Sequence, residues 1–238
     1  MDRGPQYSEL QRYPAVVVDR RGRFETTLVN DGRRFELELR GNRFAGGALD
    51  GLELVGSPEN AAEPPDLHEY GLCSCVIEWT MPIRVAHPGV AAAASDLVAR
   101  LTLGDPTPRR GLDRVEVTLA LHLATGVTTT SPHGYMEDAL LDLRRRLPAD
   151  VRLVACISCA FSDYNPAGSG FIGTMACFRE VKDAYRSVDG KRGLFQVWNE
   201  LSGFVQETFV CDDYEQRRPG AGYRGWPSHP AAPDVDPE

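Results

Sequence analysis

Over the first forty residues, apolar and polar positions alternate with a period of two. Val16, Val17 and Val18 form a short apolar run, and Arg20-Arg21-Gly22 reads as a turn. Phe24, Thr26 and Leu28 then alternate with Glu25 and Thr27. Asn30-Asp31-Gly32 supplies a second turn, its Asp-Gly pair suited to a tight hairpin. Phe35, Leu37 and Leu39 follow, alternating with Glu36, Glu38 and Arg40. This period with one polar face predicts a three-stranded antiparallel meander. A weaker strand is expected near Leu52 to Val55, and residues 56–68 have the composition of a loop or linker.

Further strands are expected over 70–80 and 96–103. Gly104-Asp105-Pro106-Thr107-Pro108 forbids continuation and makes a turn. Val115, Val117, Leu119, Leu121 and Leu123 give the cleanest alternation of the chain. The period then changes. Met136, Ala139, Leu140, Leu143 and Leu147 fall on one face at helical spacing. Glu137 and Asp138 lie in the first turn, Arg144 to Arg146 in the last, and Pro148 stops the helix. Val151 to Cys156 reads as a strand, so a parallel crossover and a mixed sheet are expected here. Phe171 to Phe178 fits strand or helix equally. Leu194, Val197, Trp198, Leu201, Phe204 and Val205 fit a helical stripe interrupted by Gly203.

The expected fold is α+β: an antiparallel β meander at the N-terminus, followed by a mixed sheet with two or three helices. The expected parts are an N-terminal β part (1–55), an α+β part with the cysteine-containing region (69–218) and a mobile Pro/Gly-rich tail (219–238). One domain over 1–218 is the alternative.

Composition narrows the function classes. The 238 residues carry a formal net charge of −8, with 42% hydrophobic and 25% charged residues, ordinary values for a globular chain. The acidic balance argues against a nucleic-acid binder and suits a basic protein partner. Lys182 and Lys191 are the only lysines among 26 basic residues, a bias of GC-rich bacterial coding. The first residues carry no apolar run, and no stretch approaches the roughly 18 apolar residues of a membrane helix. The expectations are a cytoplasmic chain, no membrane association and reduced cysteines.

Six cysteines offer the most specific chemistry. Cys73 and Cys75 lie two apart on one strand face. Cys156-Ile157-Ser158-Cys159 is a C-x-x-C, and Cys177 and Cys211 follow singly. Buried strand thiols acting as small hydrophobes are the common reading. The sharper one is a tetrahedral zinc shell from Cys156, Cys159, Cys177 and Cys211, although zinc ribbons usually return with a second C-x-x-C. Redox use is disfavoured because a turn, Phe161 to Pro166, follows the C-x-x-C where a helix N-terminus would be needed.

Two polar clusters complete the set. Ser162-Asp163-Tyr164 adjoins the C-x-x-C, with Asp163 a turn-capping candidate. Gln206-Glu207, then Tyr223 and Arg224, either anchor a partner or latch the tail onto the domain. An enzyme using Cys156 or Cys159 with Asp163 and Glu207 is the rival to a binding role. No phosphate-loop, dinucleotide, zincin or serine-hydrolase motif is present.

Cys156-x-x-Cys159-Ala-Phe-Ser162-Asp163-Tyr164-x-Pro166, Gly173-Thr-Met-x-Cys177-Phe178-Arg179, Val205-Gln206-Glu207-Thr208-x-x-x-Cys211 and Gly222-Tyr223-Arg224-Gly225 occur in that order. This set resembles domain-of-unknown-function family 6304, an uncharacterised bacterial family, over about residues 135–226. The resemblance implies that these cysteines and the Ser-Asp-Tyr form one site or core element, and it brings no activity with it. By analogy alone, small acidic proteins of this kind occur among bacterial toxin-immunity systems. The leading expectation is therefore a non-enzymatic binding protein, with a cysteine- or carboxylate-based enzyme and a zinc-stabilised structural module as alternatives.

Overall fold

The structure, a computed structural model, describes residues 10–32, 34–57, 65–69, 71–108, 111–166, 171–172, 175–218 and 222–223. The alternating N-terminal segments become β1 (Gln11–Asp19), β2 (Gly22–Asn30), β3 (Phe35–Leu39) and β4 (Asn42–Gly46), each paired antiparallel with the next. The β3–β4 turn holds Arg40 at φ 53° and Gly41 at φ 76°, the left-handed pair a tight hairpin needs. That turn aims the Arg40 guanidinium at both oxygens of Asp19, 2.7 Å from each.

Short strands β5 (Glu53–Leu54), β6 (Leu67–His68) and β7 (Gly71–Leu72) extend this edge. The long strands β8 (Cys75–His87) and β9 (Val90–Leu103) form a hairpin, joined by β10 (Val115–Leu123) and β11 (Gly126–Thr129). Strand β12 (Arg152–Val154) adds to β8. The sheet order is β11-β10-β9-β8-β1-β2-β3-β4-β5-β7-β6. One edge of β8 serves two partners: β1 along Cys75–Trp79 and β12 along Arg84–Ala86. Residues 1–55 and 69–218 thus contribute strands to the same sheet.

Helix α1 (Met136–Arg146) buries Met136, Ala139, Leu140 and Leu143 against this sheet, the face its spacing predicts. The strand–helix–strand unit does not make a parallel crossover. Chain leaving α1 passes β10 and pairs antiparallel with β8 instead, and every pairing among the described residues is antiparallel. The expected mixed sheet is corrected accordingly. The physical reason is that Gly126–Thr129, which the alternation did not mark as a strand, doubles back as β11 and covers the free edge of β10.

A second, three-stranded sheet combines β13 (Ser162–Tyr164), β14 (Met175–Cys177) and β15 (Gly203–Val205). Helices α2 (Lys182–Arg186) and α3 (Lys191–Val197) lie between β14 and β15. The long stripe from Leu194 splits: α3 ends at Val197, a 3-10 turn covers Trp198–Glu200, and Gly203 opens a strand. Phe161, Phe178, Tyr185, Leu194 and Val197 form a separate core here, with Phe178 stacked on Tyr185 at 4.7 Å. Among the described residues no helix is long and apolar enough to cross a membrane.

Candidate functional site

Three consecutive residues of β13, Ser162, Asp163 and Tyr164, are all buried. A strand with one wet face would expose the middle one, so Asp163 needs partners inside. It has four. Its Oδ1 accepts from the Tyr164 N–H at 3.0 Å. Its Oδ2 accepts from the Tyr185 hydroxyl at 2.9 Å and from the Tyr223 N–H at 2.7 Å. The Arg217 guanidinium lies 3.7 Å away, itself buried. Arg217 also donates to the carbonyls of Cys159, at 3.1 Å, and Ser162. A buried carboxylate is tolerated where hydrogen bonds and a counter-charge satisfy it.

Glu207 accepts a 3.3 Å hydrogen bond from the Tyr164 hydroxyl, while its backbone carbonyl accepts from Ile157 N–H. Gln206 is buried too, its Nε2 without a hydrogen-bond partner among the described residues. The structure thus brings Ser162, Asp163, Tyr164, Glu207 and Tyr223 into one interior network that fastens the segment after Cys211 to β13. Arg224 lies outside the described residues, as does the tail apart from Gly222 and Tyr223. Gly222, at φ +78°, sits where any Cβ would collide with Arg217, with the Tyr185 hydroxyl at 2.6 Å and with Asp163 Oδ2 at 3.0 Å. The Gly-Tyr motif is therefore the point of closest approach.

Cys156 and Cys159 occupy the 3-10 turn after β12, and Cys177 lies opposite Ser162 in the neighbouring strand. Burial pushes the Cys177 thiol up to about 11 and raises Cys156 and Cys159 as well. That is the opposite of what a nucleophilic cysteine requires. These three and Cys211 lie near enough for their charges to act on one another. Among the described residues, no three His, Cys, Asp or Glu side chains converge into a group that could hold a metal ion.

A different site opens where β1, β8 and β9 end. A cleft of about 670 Å³ is lined by Asp19, Asp66, Ser74, Asp105, Asp113 and Arg114, among others. Asp19 is taken by Arg40, and Asp66 by Arg20 and Arg21. Asp105 and Asp113 are held by neutral donors. The Ser74 hydroxyl donates to Asp105 Oδ1 at 2.6 Å, and the Asp105 N–H donates to Asp113 Oδ1 at 2.8 Å. Ser74 takes φ 49°, a conformation uncommon for a residue with a side chain. Gly104 lets the Asp113 carboxylate approach, since a Cβ there would strike it and the Arg114 backbone nitrogen, 2.9 Å away. Cys73 and Cys75 back the cleft as buried thiols, Cys75 pushed up to about 12 by burial.

The sequence pattern marks Gly104-Asp105-Pro106 as a turn and gives no sign of this cleft. Its carboxylates come from four segments, and the available signal is the glycine before Asp105.

One family model, described as a family of unknown function (DUF6304), matches residues 11–162. It shares residues 135–162 with the stretch whose motifs carry the resemblance, and every residue lining the cleft falls inside it. Cys177, Cys211, Glu207 and Tyr223 lie beyond it. No curated protein and no solved structure matches the chain.

Proposed function

We propose, from the premise that this chain belongs to the family of unknown function DUF6304, that it is a non-enzymatic binding protein whose cleft receives a basic side chain of a protein partner. The observation that carries this reading is the pair Asp105 and Asp113. Both face the cleft, and among the described residues neither is ion-paired. A guanidinium or ammonium entering there gains charge-assisted hydrogen bonds from preoriented carboxylates. The net charge of −8 draws a basic partner toward the surface before contact.

The interior placement of Asp163 and Glu207 and the raised thiols of Cys156 and Cys159 weigh against the enzymatic rival. The segment matched by the family model contains the whole cleft.

The test is fluorescence anisotropy with a labelled arginine-rich peptide at low and physiological salt. Binding should weaken roughly tenfold or more in the double variant Asp105→Asn/Asp113→Asn and fall as salt rises. Equal binding by the wild type and the variant, with the variant's melting temperature unchanged, would overturn the assignment.

A further inference from the structure

We propose that a second cleft, between β2 and the β3–β4 hairpin, binds a free α-amino acid, with the buried Arg40 taking its carboxylate and Glu25 and Glu38 its ammonium group. The cleft has a volume of about 570 Å³, within the range that accepts a small molecule. It arises where two strands part. Among the described residues, β2 and β3 pair only at Val29–Glu36 and Asn30–Phe35. Further along, the Thr26 hydroxyl donates to the Glu38 carbonyl at 2.7 Å, a side chain standing in for the backbone ladder.

Arg40 is the residue that points to a ligand. Its side chain is only 5% exposed. Its Nη2 is committed to both oxygens of Asp19. The guanidinium lies 3.8 Å from the centre of the Phe24 ring, which holds its plane. Nε and Nη1 are also buried, and neither has a hydrogen-bond partner among the described residues. Such donors are rare in folded proteins, because each has lost its water without a replacement. Arg40 forms part of the cleft wall, so the missing acceptor can enter from there. A carboxylate suits it, with two oxygens and lone pairs enough for N–H groups fixed on one plane.

The charges around Arg40 select a zwitterion over a simple ion. Arg12, Arg40 and Arg43 line the cleft together with Glu25, Glu36 and Glu38. Asp19 answers Arg40, and Glu36 answers Arg43 at 2.7 Å. Glu25 and Glu38 are exposed and, among the described residues, have no ion pair. With the two signs balanced, a lone anion or a lone cation is drawn in only weakly. A free α-amino acid carries both charges on one carbon and gains charge-assisted hydrogen bonds from Arg40 and from a glutamate together. Asp19 lines the first cleft and Arg40 this one, but the two clefts share no lining residue. Failure of either reading therefore leaves the other standing.

The experiment is an NMR titration of the wild-type chain that follows the Arg40 Nε–H signal, which burial protects from exchange with water. The probes are the common L-amino acids one at a time, with acetate and methylammonium as single-charge controls. At least one amino acid should shift the signal saturably, while each control binds roughly tenfold more weakly or not at all. The double variant Glu25→Gln/Glu38→Gln should weaken binding roughly fivefold and leave the melting temperature unchanged, both side chains being exposed. The wild-type titration needs no variant, so a misfolded double variant would not obscure the answer. The proposal is overturned if no amino acid moves the signal, which would leave water as the acceptor. It is overturned equally if acetate binds as tightly as the best amino acid, or if the folded double variant binds as tightly as the wild type.

Discussion

Strands β8, β9 and β10 run for 13, 14 and 9 residues and bury every second side chain along most of β8, the second half of β9 (Leu97–Leu103) and the middle of β10 (Val117–Leu121). Strands β13, β14 and β15 have three residues each, and all but one of these nine are buried. The two sheets are therefore held in different ways. In the large sheet, register follows from alternation, because a slip of one residue would turn Ile77, Leu97, Leu101 and Leu119 to solvent. A three-residue strand has too few positions to specify register in that manner. The small sheet is fixed by side chains that act as pegs: Asp163 on Tyr185 and Tyr223, Arg217 on two carbonyls, Ser158 on the Tyr214 hydroxyl at 3.0 Å.

The contrast breaks most sharply at Arg217. Arg217→Ala leaves Asp163 buried without its cation and two carbonyls without their donor, at a cost of about 3–5 kcal/mol. Hydrogen exchange should show the loss confined to β13–β15 and segment 209–217, with β8–β10 still protected. Uniform loss across both sheets would mean that they unfold as one unit and that the pegs do not act locally.

Leu119→Ala tests the other side. Leu119 is fully buried in β10, and the cavity should cost about 2–5 kcal/mol. Here the chemical-denaturation midpoint should fall with loss of protection in β8, β9 and β10. A smaller effect follows at Gly222→Ala. The new methyl meets Arg217 and Asp163 in a backbone conformation that costs an L-residue roughly 1–2 kcal/mol. Limited proteolysis should then cut after Cys211 sooner, while the large sheet stays resistant.

This division also decides what could be read from sequence. Periodicity carries information only over several residues, so β2, β3, β10 and the buried face of α1 were legible. The outer half of β9 was not. Val90-Ala91-Ala92-Ala93-Ala94 is exposed toward the hairpin end of the strand, and a run of small apolar residues shows no alternation. Likewise β15 hid within a helical stripe, since Leu201, Phe204 and Val205 happen to continue the spacing of α3 while Gly203 starts a strand. The polar network was legible as an ordered set of motifs, but not as an interior, because hydrogen-bond partners 22 and 60 residues from Asp163 leave no local trace. The cleft was least visible, being a meeting of strand ends from separate segments.

Pegs of the small-sheet kind also exist on the large sheet, Arg40 on Asp19 among them, and another supplies the mildest test. Asp142 on α1 accepts from Arg146 Nε at 2.9 Å, bonds His133 Nε2 at 3.1 Å, and accepts from the Ser131 N–H at 2.9 Å. It thereby ties the helix to the segment that bridges β10 at Val117. The Arg146 guanidinium first, then His133 and the Ser131 N–H, hold its carboxyl well below the usual carboxylate range. A depressed folded pKa means that the unfolded chain binds the proton more readily. The contribution is thus full above the unfolded value of about 3.9 and is lost as pH falls through the lower folded value. Asp142→Asn should cost little near pH 7, since the large sheet keeps its apolar contacts, on the order of 1 kcal/mol. It should also flatten the decline of stability below pH 4. Unfolding by urea at pH 7, 4 and 3 checks the sign. A difference between wild type and Asp142→Asn that narrows as pH drops fits a peg added to an alternation-built sheet. A gap that stays constant from pH 7 to pH 3 would show that Asp142 acts there through packing, and that the two sheets are less unlike than their strand lengths suggest.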